Sequence, residues 1–247
     1  MASCLVRLDP ALRGFLRPAL RGEPVTVPLD GLVPVMDRIQ ALGVPHTEVG
    51  RIEVAAAGRT AVAVSPDHRL ADGEAVDVHP VAVPQAWPEA AEDAPGFVLD
   101  GHLGRLAGYL RLLGFDVEHA TNAEDGDLAA VAAAGTRVLL SRDVGLLKRS
   151  AVRHGAFVYA TDPLAQLREI HDRFGLDGHA RPLTRCRVCN SALLDGAGAG
   201  RAGDVPADVV ARGLPLHHCP HCGRSYWPGG HRDRLRARFA AAGITLG

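Results

Sequence analysis

The chain has 247 residues, 47% hydrophobic, 22% charged and 4% aromatic, with a net charge of −1. That exceeds the roughly 100–200 residues of one domain and is too apolar for wholesale disorder. The longest unbroken apolar run, Leu128 to Ala134, has seven residues, against the about 20 a membrane span needs. With no signal-peptide apolar core at the N-terminus, a cytoplasmic protein with no membrane partner is expected. The near-neutral total conceals an uneven split. Residues 181–247 carry 10 basic and 4 acidic groups, a local +6 that suits a polyanion. Lys148 is the only lysine, a bias without functional meaning by itself.

Along the chain, Cys4–Leu8 and Val25–Leu29 read as strands, Pro34–Leu42 as a short helix stopped by Gly43, and Arg51–Val54, Ala61–Val64 and Ala75–Val81 as further strands. No residues in this part converge as a catalytic set. Pro84 to Pro95 is proline-punctuated, acidic and without apolar periodicity, so it reads as a linker. The order of hairpin, helix and strands, with VPVMDRIQALGVPHTEVGRIEV followed by HRLADGEAVDVHPV, resembles the β-grasp domains of ubiquitin-like proteins and of sulfur carriers. Sulfur carriers need a free C-terminal Gly-Gly, whereas this segment ends in His79-Pro80-Val81 and continues. The resemblance therefore implies an adaptor or docking module with a protein partner.

After the linker, strand and helix alternate. Phe97–Leu99 is followed by a helical spacing of Leu103, Leu106, Ala107, Leu110 and Leu113 that Gly114 stops. Phe115–Glu118 is strand-like, Leu128–Ala134 a helix closed by Gly135, Val138–Leu140 and Ala156–Tyr159 strands, and Leu164–Phe174 a helix ended by Gly175. Such alternation predicts an α/β fold with a parallel sheet covered by helices on both faces.

In such sheets the ligand site lies beyond the carboxyl ends of the strands, and here aspartates occupy those positions. Asp100 follows FVL, Asp143 follows RVLLSR, Asp162 follows AFVYAT, and Asp125 with Asp127 opens a helix. Gathered carboxylates need a cation, and oxygen-only ligands select Mg²⁺ or Mn²⁺, which would promote phosphodiester hydrolysis. Aspartate is also a favoured helix N-cap. Asp162, ahead of Pro163, reads first as a cap; Asp125 and Asp127 fit either role. Asp100 and Asp143 read as catalytic, since no turn requires them. Arg105, Arg111 and Arg142 flank the candidate site and could neutralise substrate phosphates, Arg105 being best placed, while at least one should pair with a local carboxylate. His102, beside Asp100, reads more readily as structural.

The runs FVLDGHLGRLAGYLRLLGFDVEHA, EDGDLAAVAAAGTRVLLSRDVGLLKR, DPLAQLREIHDRFGL, RPLTRCRVCN and CPHCGRSYWPGGHRDRL resemble the Mut-seven C-terminal RNase family over about residues 96–238. The resemblance implies a PIN-like nuclease fold joined to a zinc ribbon, often behind an N-terminal ubiquitin-like domain, with RNA as substrate. It maps the three acids of PIN-like nucleases to Asp100, Asp125 (Asp127 as substitute) and Asp143, with Ser141 where the pattern usually has Thr. A fourth acid, two residues on, is replaced by Gly145, and Asp162 is a candidate to stand in for it.

Cys186-x-x-Cys189 and Cys219-x-x-Cys222 are two knuckles that together suit a tetrahedral thiolate Zn²⁺. Four thiolates leave no open position, so the zinc is expected to be structural; a redox dithiol is the alternative. Gly223 gives the second knuckle backbone freedom. Cys4 reads as a small buried hydrophobe, and His217, His218 and His221 as unneeded ligands. Tyr226 and Trp227, followed by Arg232, Arg234, Arg236 and Arg238, suggest base stacking and phosphate contacts, although packing against the zinc knuckle is the simpler reading for the aromatic pair. The expectation is a metal-dependent PIN-like ribonuclease with domains at 1–83, 96–180 and 181–247. An RNA-binding or ribosome-associated module with a lapsed nuclease site is the alternative.

Overall fold

The computed structural model describes residues 2–244 apart from 23, 32, 89–95, 120, 135–136 and 197–204, and describes no side chains at 230–233, 235 and 236. In chain order the elements are β1 (Ser3–Leu8), β2 (Val25–Pro28), α1 (Val35–Leu42), β3 (Val49–Ala55), β4 (Val62–Val64), β5 (Ala75–Pro80), β6 (Gly96–Leu99), α2 (Gly104–Leu112), β7 (Asp116–His119), α3 (Asp125–Ala133), β8 (Arg137–Ser141), α4 (Val144–Leu147), β9 (Gly155–Phe157), α5 (Pro163–Phe174), β10 (Leu194–Asp195), α6 (Ala207–Ala211), β11 (His217–His218), β12 (Ser225–Tyr226) and α7 (Gly230–Ala241). Short 3-10 helices intervene, among them His46–Glu48 and Gly101–Leu103. No helix among the described residues is long and apolar enough to cross a membrane.

The chain divides into two compact units, residues 1–82 with 141–157, and residues 83–140 with 158–247. In the first, five strands run in the order β2-β1-β5-β3-β4, with β1 parallel to β5 and the other pairs antiparallel. This is the mixed sheet of a ubiquitin-like domain. Alternate residues of β1 and β5 point inward, so Val6, Val76 and Val78 meet Val35 and Ile39 of α1 in one core with Leu12, Ile52 and Val54. Gly43 ends α1 at φ +127, where a Cβ would lie 2.3 Å from Phe15 O, so both backbone and space require glycine.

In the second unit β6, flanked by β7 and β8, pairs with both in parallel. β6 is buried at all four residues, as a central strand covered on both faces should be. The stretch expected as a linker is partly ordered packing: Gln85 N donates to Arg173 O (2.6 Å), Arg173 Nε returns to Gln85 Oε1 (2.8 Å), and Trp87 joins an aromatic cluster with Phe97, Phe115 and Phe174. Composition alone hid this, because one tryptophan among prolines leaves no periodicity. Residues 89–95 of that stretch lie outside the described residues. A small antiparallel sheet, β10-β11-β12, completes the unit.

Candidate functional site

Each expected aspartate sits at a strand exit or helix start. Asp100 follows β6, is buried, and its carboxylate accepts from His102 N at 3.0 Å, capping the 3-10 turn Gly101–Leu103. Asp125 is the exposed first residue of α3, whose N-cap is Glu124, and Asp127 lies two residues further along in its first turn. Asp143 is exposed and caps α4: Oδ1 accepts from Gly145 N (2.6 Å) and Leu146 N (3.2 Å). Asp162 caps α5 through Oδ1, which accepts from Leu164 N (2.9 Å) and Ala165 N (3.1 Å), with Pro163 at the first helical position. The expectation that no turn requires Asp100 and Asp143 is corrected. Both are caps, because a strand running directly into a helical turn leaves orphan N–H groups at that point.

The Ser141 hydroxyl, fully buried, accepts from Asp143 N at 2.9 Å. That bond orients the Asp143 backbone and gives the hydroxyl at this position a definite task. Asp143 Oδ2 takes no hydrogen bond from the described residues. No aspartate belongs to a group of three or more metal-ligating atoms within 4.8 Å among the described residues.

The flanking arginines separate by environment. Arg105 is exposed on α2, and Arg142 is exposed after β8. Arg111, expected at the substrate, is buried: Nε and Nη2 donate to Val117 O (3.1 and 2.7 Å), and Nη1 to Val188 O (2.8 Å) and Arg187 O (3.4 Å). Burial lowers its pKa against the opposing pull of Cys186, Cys189 and Asp116. Its fork is committed to main-chain carbonyls, so it joins α2, β7 and the first cysteine knuckle. His102 is exposed. His119, the last residue of β7, lies with Nε2 3.3 Å from Gly101 O; only its place at a strand end could have marked it from sequence. It lines an open cavity of about 630 Å³ with Asn122 and Asp127, over aliphatic walls that include Val98, Val117 and Leu128.

The four knuckle thiols form the one such ligand group among the described residues, all sulfurs lying within 4.8 Å of one another. Cys186 and Cys222 sulfurs are 3.5 Å apart, and those of Cys189 and Cys219 3.3 Å. A tetrahedral zinc with bonds of about 2.3 Å places sulfurs roughly 3.8 Å apart, so the residues fit that ion. The knuckles share one backbone design. Asn190 N donates to Cys186 O and Gly223 N to Cys219 O, each at 3.0 Å, and both residues are left-handed (φ +67 and +72). Burial raises the Cys189 thiol, but bonds from Ser191, Cys219 and Cys186 outweigh it and bring it to about 6, while burial pushes Cys219 up to about 12. Sulfurs this close cannot all carry charge without a cation.

Of the aromatic pair beyond the second knuckle, Tyr226 serves the ribbon. Tyr226 Oη is 3.0 Å from Cys186 Sγ, and Trp227 packs beside Gly229. His217 and His218 are bound to Asp195 Oδ1 and Gly196 O rather than to the knuckle sulfurs. Cys4 is buried in the first unit. In α7, Arg234 and Arg238 are exposed, whereas the side chains of Arg232 and Arg236 lie outside the described residues.

The ribbon is fastened to the α2–β7 turn. Arg181 N donates to Leu113 O (2.7 Å), and Gly114, at φ +93, would place a Cβ 2.0 Å from Arg181 O. Asn190 Nδ2 donates to Asp116 Oδ1 (2.7 Å), and Arg185 pairs with Asp116 at 3.4 Å. Burial raises the Asp116 carboxyl, but the Asn190 bond and the Arg137 and Arg185 guanidiniums hold it below the usual range.

The family model described as the Mut7-C RNAse domain matches residues 95–239, and that described as Mut7-C ubiquitin matches residues 1–86. Neither a curated protein nor a solved structure matches the chain. The first match spans more than half of the sequence and contains the strand-end aspartates and both cysteine knuckles; the second coincides with the ubiquitin-like sheet. The chain belongs to the Mut7-C RNase family, with a ubiquitin-like domain ahead of its nuclease-type domain.

Proposed function

We propose that the protein is a divalent-metal-dependent ribonuclease that hydrolyses RNA phosphodiester bonds, with Asp100, Asp125 and Asp143 as ligands for Mg²⁺ or Mn²⁺. The observation that carries this reading is strand placement in a chain of this family. Asp100 directly follows β6, and Asp143 comes two residues after β8, on strands paired in parallel with Leu99 opposite Leu140. Sites of parallel sheets lie beyond such strand ends.

The chain's own groups have separable tasks. Asp143 Oδ1 is held by two N–H groups, which fixes the carboxylate and leaves Oδ2 for a cation. Asp125, exposed in the first turn of α3, offers a further carboxylate, and Asp127 and Asp162 are secondary candidates. A bound divalent ion supplies polarisation of a phosphate oxygen and a water of lowered pKa. Exposed Arg105, which has no ion pair among the described residues, suits a substrate phosphate. The cavity beside α3, at about 630 Å³, falls within the range of ligand pockets and has room for a nucleobase. The zinc ribbon and the +6 segment 181–247 add RNA affinity.

The test is incubation of wild type and Asp143→Asn with structured and single-stranded RNAs in Mg²⁺, Mn²⁺ or EDTA. Cleavage that needs the ion and falls at least about 10²-fold in the variant is the expected result. RNA bound but uncut under every condition would favour the binding module, the reading that Gly145 in place of a fourth acid supports.

A further inference from the structure

Residues 141–157 belong to one compact unit with residues 1–82, although the nuclease-type family match runs from 95 to 239. Four directed contacts account for this. The Lys148 ammonium donates to Gln40 O at 2.6 Å, in the last turn of α1, where a helix favours a cation. His46 Nε2 donates to Val152 O at 2.7 Å. Buried Glu48 accepts from Phe157 N through Oε1 at 2.7 Å. Phe15 meets Phe157 edge-on, with centroids 5.2 Å apart. Gly155 is pressed so closely that a Cβ there would lie 2.9 Å from Leu147 Cδ2 and 3.1 Å from Thr47 Cγ2.

α4 has four residues, too few to be stable by its own hydrogen bonds. Its order must come from its cap, Asp143, and from what packs behind Leu146 and Leu147, both buried. Gln40, His46 and Glu48 hold the residues that follow α4 at three points along 148–157.

We propose that the ubiquitin-like domain is a positioning platform for the Asp143 turn, with Glu48 and the Gln40–Lys148 contact as positioning residues for the nuclease site. The kinetic part rests on the ribonuclease reading; the structural part does not. The α1–Glu48 edge of the domain is thereby occupied from within the chain, which removes it as a surface for an outside partner.

The test uses the full chain as wild type, Lys148→Met, Lys148→Arg and Glu48→Ala, each followed by amide hydrogen exchange and by steady-state RNA cleavage. Lys148→Met and Glu48→Ala should speed exchange across 144–157 by about tenfold or more while 96–119 stays within about twofold. kcat should fall about tenfold with KM nearly unchanged, and Lys148→Arg should recover most of both losses. Unchanged exchange in 144–157, an equal rise across 96–119, or a local rise with unaltered kcat would each overturn the proposal. Should wild type cleave no RNA, the ribonuclease reading fails and the exchange data still judge the platform. Lys148 is partly exposed, so its variants remain informative if Glu48→Ala does not fold.

Discussion

Asn190 Oδ1 accepts the main-chain N–H of Val117 at 3.0 Å. β7 is the outermost strand of its sheet, and its outward N–H would otherwise stand as an open edge. A side-chain amide from the first cysteine knuckle takes the place of a neighbouring strand and answers Asp116 with its other end. Asn190 is also left-handed, so its backbone and side chain serve different needs. Asn190→Gly should keep the backbone and lose about 1–2 kcal/mol with the amide; Asn190→Ala should lose about 1 kcal/mol more. Urea midpoints of the two variants check this. Equal costs would mean that the left-handed backbone is not limiting.

Zinc and sheet should prove coupled through Arg111. Its guanidinium spans Val117 O in β7 and Val188 O between the knuckle cysteines, so disordering the knuckle leaves buried donors unpaired. Chelation of zinc, or Cys186→Ser, should therefore raise exchange in 110–119 as well as in the ribbon. Arg111→Met should destabilise the unit by about 2–4 kcal/mol and weaken zinc retention. Zinc loss confined in its effect to 184–226 would show the two parts to be independent.

What could be read in advance follows the range of the interaction. α5 was legible from purely local signals: a cap at Asp162, Pro163 at the first position and Gly175 at the end. The two C-x-x-C pairs were legible because a thiolate site is encoded in short spacing. Arg111 was not. Its spacing placed it on the helix, but only tertiary structure decides whether a guanidinium finds phosphate or main-chain oxygens. α4 is too short for periodicity to register. The union of 141–157 with residues 1–82 rests on contacts separated by about a hundred positions in sequence, such as Gln40 with Lys148, which no local pattern announces. Asp100 and Asp143 were found for their chemistry while their capping went unseen, because one residue does both.

In the ubiquitin-like sheet, Arg7 and Asp77 face each other on parallel strands and bind bidentately at 2.6 and 2.7 Å. The Arg7 hydrogen bonds hold the Asp77 carboxyl below its usual range. A carboxyl depressed in the folded state stabilises above its unfolded pKa, about 3.9, and loses that contribution as pH falls through the folded value. Arg7 is 45% exposed, so the effect should stay under about 1 kcal/mol. The difference in urea midpoint between wild type and Arg7→Met should be present at pH 7 and vanish in stronger acid. A difference that persists unchanged to pH 2.5 would mean packing, not charge, is responsible.

Capping and chemistry can be pulled apart at the strand ends, because asparagine caps a helix as well as aspartate but brings no charge to a cation. Asp143→Asn, Asp100→Asn and Asp162→Asn should each leave the unfolding midpoint close to wild type. Asp143→Ala should cost about 0.5–2 kcal/mol, since Gly145 N and Leu146 N lose their acceptor. If Asp100 and Asp143 hold the catalytic ion, their asparagine variants should lose at least about 10²-fold in RNA cleavage, with activity partly restored by raising Mn²⁺. Asp162→Asn should stay within about threefold if that residue is a cap alone. Stability curves beside cleavage rates for the four variants separate the roles: a rate loss that tracks unfolding midpoint assigns the aspartates to structure, whereas a loss at constant midpoint assigns Asp100 and Asp143 to the reaction.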